Sequence, residues 1–101
     1  MIIKVFEVTG VFAVGRSDGE RLYELARPPL LEGEKIELDF TDVMVFSSAF
    51  FNYAIAQLLR DLDPNSLNRL LGITNIPAWA VRDLQKAIDL ARKHYHPNGK
   101  Q

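Results

Sequence analysis

Cysteine is absent from this 101-residue chain, which excludes a disulfide framework, a thiolate nucleophile and any zinc site built on cysteine. Long apolar runs are absent as well. None exceeds four residues, as in Val11 to Val14 and Val43 to Phe46, so no membrane-spanning helix is encoded. The opening Met1-Ile2-Ile3-Lys4-Val5-Phe6 lacks the basic segment, apolar stretch and small-residue cleavage site of an export signal. Together these absences set the expectation of a cytoplasmic protein away from membranes. An excess of one charge is missing too: 12 Lys/Arg stand against 13 Asp/Glu, a formal net charge of -1. Residues 1–42 carry 5 basic against 9 acidic side chains, and residues 43–101 carry 7 against 4. Neither part supplies the clustered positive face that a nucleic-acid backbone requires, and with a single Trp there is no interleaved aromatic platform for bases.

What the chain does have is 48% hydrophobic residues, enough for one core at the length of one domain. The expected domain is 1–96, with 97–101 as a flexible C-terminal tail. Ile2 to Val8 reads as a strand ending at Thr9-Gly10, with Val11 to Val14 as its hairpin partner. Ser17-Asp18-Gly19-Glu20 has the spacing of a capping box. The helix it opens carries Leu22, Leu25 and Ala26 inward and is expected to stop at Pro28-Pro29. Lys35 to Phe40 alternates polar and apolar strictly, the period of a half-buried strand. After Val43 to Phe46, Ser47 or Ser48 caps a long helix with a stripe at Phe51, Ala54, Ile55, Leu58, Leu59 and Leu62, ended by Asp63-Pro64-Asn65. Leu67 to Thr74 reads as a strand. Thr74 or Asn75 then caps a last helix with Pro77 in its first turn and a stripe at Val81, Leu84, Ala87, Ile88, Ala91 and Tyr95. The order predicts a mixed, mostly parallel four-stranded α/β sheet with three main helices.

Chemistry-bearing residues are few, and each carries two readings. Ser47 and Ser48 are N-caps, or hydroxyls placed where an added phosphate meets the positive end of a helix. Phe50 and Tyr53 lean to the rim of the Phe51 stripe, where they finish the core or form an exposed aromatic pair that anchors a partner. Asp39 and Asp42 lie at a strand end, where α/β proteins place functional groups. Without a nearby His, Lys or third carboxylate they make a thin case for acid–base or metal chemistry, and turn chemistry explains Asp42 as well. Gly15-Arg16-Ser17-Asp18-Gly19 has neither dinucleotide nor P-loop spacing. His94 and His96, two apart near a helix end, do not face the same way. No catalytic residue, cofactor site or metal site is expected.

Leu38-Asp39-Phe40-x-x-Val43 followed by Phe46-Ser47-Ser48-Ala49-Phe50 and a long helix resembles the STAS domain of anti-sigma-factor antagonists. The match is nearest to the STAS-like family of uncharacterised bacterial proteins, on Arg16-Ser17, Asp39-Phe40, Ser47 with Phe50, and Asn75. It covers about residues 2 to 93. The resemblance implies a STAS-like sandwich and a non-catalytic regulatory module that switches partners with a histidine-kinase-like ATPase or anti-sigma factor under serine phosphorylation. It places the phosphoacceptor at Ser47, with Ser48 next to it as a second candidate; Asp39 and Asp42 at the strand end and the Phe50 and Tyr53 rim are the expected partner contacts. The chain departs from the antagonists at Phe46, where they carry an acidic residue, and at Ala49, where they carry glycine. Two further readings stand beside it: a homodimer or larger homo-oligomeric scaffold, and a small enzyme using Asp39, Asp42 and Ser47.

Overall fold

The computed structural model describes residues 1–97. Its clearest strand is where the alternation is strictest. In β3 (Ile36–Asp39) and the Phe40 that follows, Ile36, Leu38 and Phe40 are buried, while Glu37 and Asp39 sit half-buried on the other face. β1 (Ile2–Lys4) pairs with it in parallel, Ile3 opposite Leu38. β5 (Leu71–Thr74) pairs on the other side, also in parallel, Ile73 opposite Leu38. The sheet therefore has the order β1-β3-β5. Alternation gives it two unlike faces. Ile3, Leu38 and Ile73 face the core, whereas Lys4, Asp39 and Thr74 form a row on the opposite, polar face.

The sheet has three strands, not four, because the chain leaves β1 early. Instead of a strand to Val8, α1 (Phe6–Thr9) follows a fully buried Val5. A strand would send Val5 and Val8 to opposite faces by parity only if their spacing were odd, as it is; one helical turn brings both to the core side. Gly10, at φ 70, supplies the left-handed exit. The Val11–Val14 hairpin does not form either. β2 (Phe12–Ala13) pairs in parallel with β4 (Val45–Phe46), a strand absent from the expected order, and the two make a separate ribbon.

α2 (Arg16–Leu31) starts one residue before the expected capping box, with Gly15 as its N-cap and no side-chain cap, and it continues through Pro28 and Pro29. The carbonyls those prolines leave without donors belong to Glu24 and Leu25, both exposed, so water can serve them. Burying Leu30 then rewards the extra turn. The inward face is Gly19, Leu22, Ala26 and Leu30, with Leu25 exposed.

The long helix is broken in two. α3 (Ser48–Ala54) gives way at Ile55 to a 3₁₀ segment, Ala56–Arg60. Ala54, Ile55, Ala56, Leu58 and Leu59 are all buried, too wide an arc for one α-helical stripe. Three residues per turn align Ile55 with Leu58 and Ala56 with Leu59. Asp63-Pro64-Asn65 begins a helix rather than ending one. In α4 (Pro64–Leu70), Asp63 accepts from the Ser66 N–H at 2.8 Å with proline at the first position. This shortens the expected Leu67–Thr74 strand to β5, because Leu67 and Leu70 are three apart and both buried.

α5 (Ala78–Tyr95) has Pro77 at its N-cap position and no side-chain cap, so neither Thr74 nor Asn75 caps it. Its buried line is Ala80, Leu84, Ala87 and Ala91, and Val81 is exposed. Small residues on that line let α5 lie close to α3 and the 3₁₀ segment. His96 is anchored, its ring Nε2 2.9 Å from the Leu59 carbonyl. Of the expected tail 97–101, only Pro97 lies within the described residues. No helix among the described residues is long and apolar enough to cross a membrane.

Gly19 lies where α2 meets α3: a Cβ there would stand 2.9 Å from the Tyr53 Cβ and 3.1 Å from the Phe50 carbonyl oxygen. Gly19→Ala should therefore destabilise the fold by up to about 2 kcal/mol in urea denaturation. Overpacking costs about 1–3 kcal/mol, and alanine's helix propensity returns about 1.

Candidate functional site

Because β2 and β4 run parallel, they end on the same side, and α2 and α3 start there together. Ser47 joins the two. It N-caps α3 by accepting from the Phe50 N–H at 3.0 Å, and its hydroxyl donates to the Val14 carbonyl at 2.8 Å, just past β2. Ser47 is half-buried and its hydrogen is committed. Ser48, the first residue of α3, is exposed, and its side chain makes no hydrogen bond among the described residues. The two serines thus divide the roles that the sequence left open between them: Ser47 holds the corner, and Ser48 presents a free hydroxyl.

Phe50 is not a rim residue. It is fully buried, with its ring edge-on to Phe51 at 5.9 Å, because the contact of α2 at Gly19 covers that side of α3. In the folded state it offers no surface to a partner, and Phe50→Ala would damage the core. Tyr53 is half-buried under the Arg16 guanidinium, 4.8 Å from the ring centroid. Arg16 also bonds Glu20 at 3.1 Å, and that bond chiefly, with Tyr53, holds its pKa above the ordinary value.

Asp39 and Asp42 do come together, in a cleft of about 280 Å³ shared with Lys4, Phe6, Glu7 and Thr41 and not with Ser47. Asp39 Oδ1 accepts from the Thr41 hydroxyl at 2.6 Å, the Thr41 N–H at 3.0 Å and the Asn75 amide at 2.9 Å. These bonds, the Thr41 hydroxyl first, lower its pKa to about 2. Asn75 reaches Asp39 from a left-handed conformation, φ 58, and Asp42 takes φ 72 in the turn after Phe40. Asp39 is a fastener between the ends of β3 and β5, and Asp42 is a turn residue. No group of three metal-ligating side chains occurs among the described residues, and the Ser47 hydroxyl donates to a backbone carbonyl, not to a side-chain base.

What the sequence reading missed is apolar. Phe12 is 60% exposed, Met44 66%, Val45 39% and Trp79 55%. Phe12 lies opposite Val45 in the ribbon, and both the Met44 and Val45 N–H groups reach the Val11 carbonyl. Trp79 stands edge-on to Phe46 at 5.5 Å. The signal was available: Val43-Met44-Val45-Phe46 holds no charge, yet only Val43 and Phe46 are needed inside.

Two measurements follow. Ser47→Ala should cost about 1–2 kcal/mol, from the lost cap and the carbonyl left without its donor, whereas Ser48→Ala should stay within about 0.5 kcal/mol. Asp39 binds its proton less readily folded than unfolded, so its contribution is complete above its ordinary value of 3.8 and is lost as pH falls through about 2. The urea midpoint should therefore drop between about pH 4 and pH 2, and Asp39→Asn should flatten that slope.

Residues 18–77 match the family described as STAS-like domain of unknown function (DUF4325). The match runs from the first turn of α2 through the Asp39 strand end and both serines to Pro77. No curated protein and no solved structure matches the chain. With more than half of its length inside that match, and with parallel sheets joined by helices, the chain belongs to the STAS-like domain family.

Proposed function

We propose that this domain is a non-catalytic regulatory module that docks a histidine-kinase-like ATPase on the β2–β4 ribbon, with Ser48 as the phosphoacceptor that controls release. Family membership supports a regulatory or binding role of this kind. The observation that carries the finer reading is the ribbon itself, which leaves Phe12, Met44 and Val45 in water and runs straight into the exposed Ser48.

An apolar patch of this sort on a small domain marks a contact surface. A phosphate at Ser48 adds between one and two negative charges beside it. Docking would then have to strip water from that charge, and the complex weakens. Ser47 cannot take the same role without giving up its donation to the Val14 carbonyl. The antagonists' position thus shifts by one residue, in keeping with Phe46 standing where they carry an acid. Pairing of two copies through the same ribbon is the second reading, supported by the same exposed side chains.

The test uses the full chain, a histidine-kinase-like ATPase from the same organism, and ATP. Phosphate should appear on Ser48, persist in Ser47→Ala and vanish in Ser48→Ala. Met44→Asp should weaken the complex about tenfold or more, roughly 1.4 kcal/mol, without lowering the melting temperature. An unmodified Ser48 together with undiminished binding by Met44→Asp sinks the proposal. A dimer by light scattering that Met44→Asp dissociates transfers the ribbon to self-association.

A further inference from the structure

A second surface, apart from the ribbon, lies between α4, β5 and α5: a groove of about 510 Å³. Its walls include Leu71 and Ile73 of β5, Ile76, and Leu84 and Ile88 of α5. Arg92 is the only charged side chain lining it among the described residues.

β5 is the last strand in its sheet, paired with β3 on one side and with no strand on the other among the described residues. The Phe40 N–H donates to the Thr74 carbonyl. Main-chain groups of every second residue in a parallel strand point the same way. Gly72 and Thr74 therefore face β3, and Leu71 and Ile73 turn theirs outward. The Leu71 N–H is taken by the Leu67 carbonyl at the end of α4. The N–H and C=O of Ile73 have no partner among the described residues.

An open strand edge beside an apolar groove is complementary to an extended peptide, whose backbone continues the sheet while alternate side chains enter the groove. A small apolar molecule would fill the groove and leave Ile73 unpaired. Charge narrows the occupant further. Arg92 holds Asp89 only loosely, at 3.7 Å with both side chains exposed, so a carboxylate seated in the groove competes readily. The chain's own strands are poor candidates: β3 is paired on both sides, β1 brings Lys4, β2 leads into Arg16, and none of β1, β2 and β4 contains a carboxylate.

We propose that the outer edge of β5 and its groove receive an extended, apolar segment of a partner protein, with an acidic group of that segment at Arg92. This site is independent of the ribbon and of any phosphorylation at Ser48.

Selection of a displayed random decapeptide library on the full chain tests it. The expected winners alternate apolar residues and carry one Asp or Glu. Their affinity should fall at least about tenfold for Ile88→Lys. Arg92→Glu changes an exposed residue outside the core, and it should turn the selected preference from acidic to basic. Winners without that pattern, winners indifferent to Arg92→Glu, or no enrichment at all would overturn the proposal. So would a dimer that Ile88→Lys dissociates, since the groove would then belong to a second copy.

Discussion

The close approach of α2 to α3 is the constraint from which the rest of this molecule is built. At Gly19 the two backbones come so near that no side chain fits between them. That contact covers Phe50, sets Tyr53 beneath Arg16 and brings the loop after β2 within reach of the Ser47 hydroxyl. The polar link and the packed one reinforce each other. Ser47 fastens the starts of two helices whose bodies are already locked, so the corner is held by a hydroxyl, a carbonyl and a glycine, and not by charge. Exposed ion pairs such as Arg16–Glu20 add little to that.

Much of this was readable from the residues, where local pattern and tertiary demand agree. Lys35 to Phe40 alternates without exception and is a strand. Ser47 stands before an apolar run and is a cap. Misreadings occur where one local signal met a stronger demand from elsewhere. Pro28-Pro29 signals a stop, but Leu30 is wanted in the core, and the carbonyls left open are on the wet side. Val5 to Val8 has strand composition, but two inward valines three apart, followed by a glycine free to take positive φ, make a turn of helix. Asp63-Pro64 punctuates the chain in either direction, and only the Ser66 N–H decides that it starts α4.

The site was readable in part. Order and spacing led to Ser47, Ser48, Asp39 and Asp42, and the fold joins these as two separate corners, one around each pair. Which serine is tied down could not be read from sequence, since the Val14 carbonyl that engages Ser47 lies 33 residues away. The same limit hid the ribbon. Phe12 and Met44 look like core residues until β2 and β4 are known to pair with each other and not with the main sheet.

Every strand pair in the described chain is parallel, and its partners lie 33 to 35 residues apart, as in Phe12 with Val45 or Leu38 with Ile73. No hairpin exists to start a sheet. Each pairing must wait until a whole helical crossover has been made, and the loop-closure entropy is lost before any ladder bond forms. On a growing chain, β1 and β3 can join early, whereas the third strand arrives only after residue 74 has been synthesised. Until then β3 has one bare flank, whose ladder groups only water can serve.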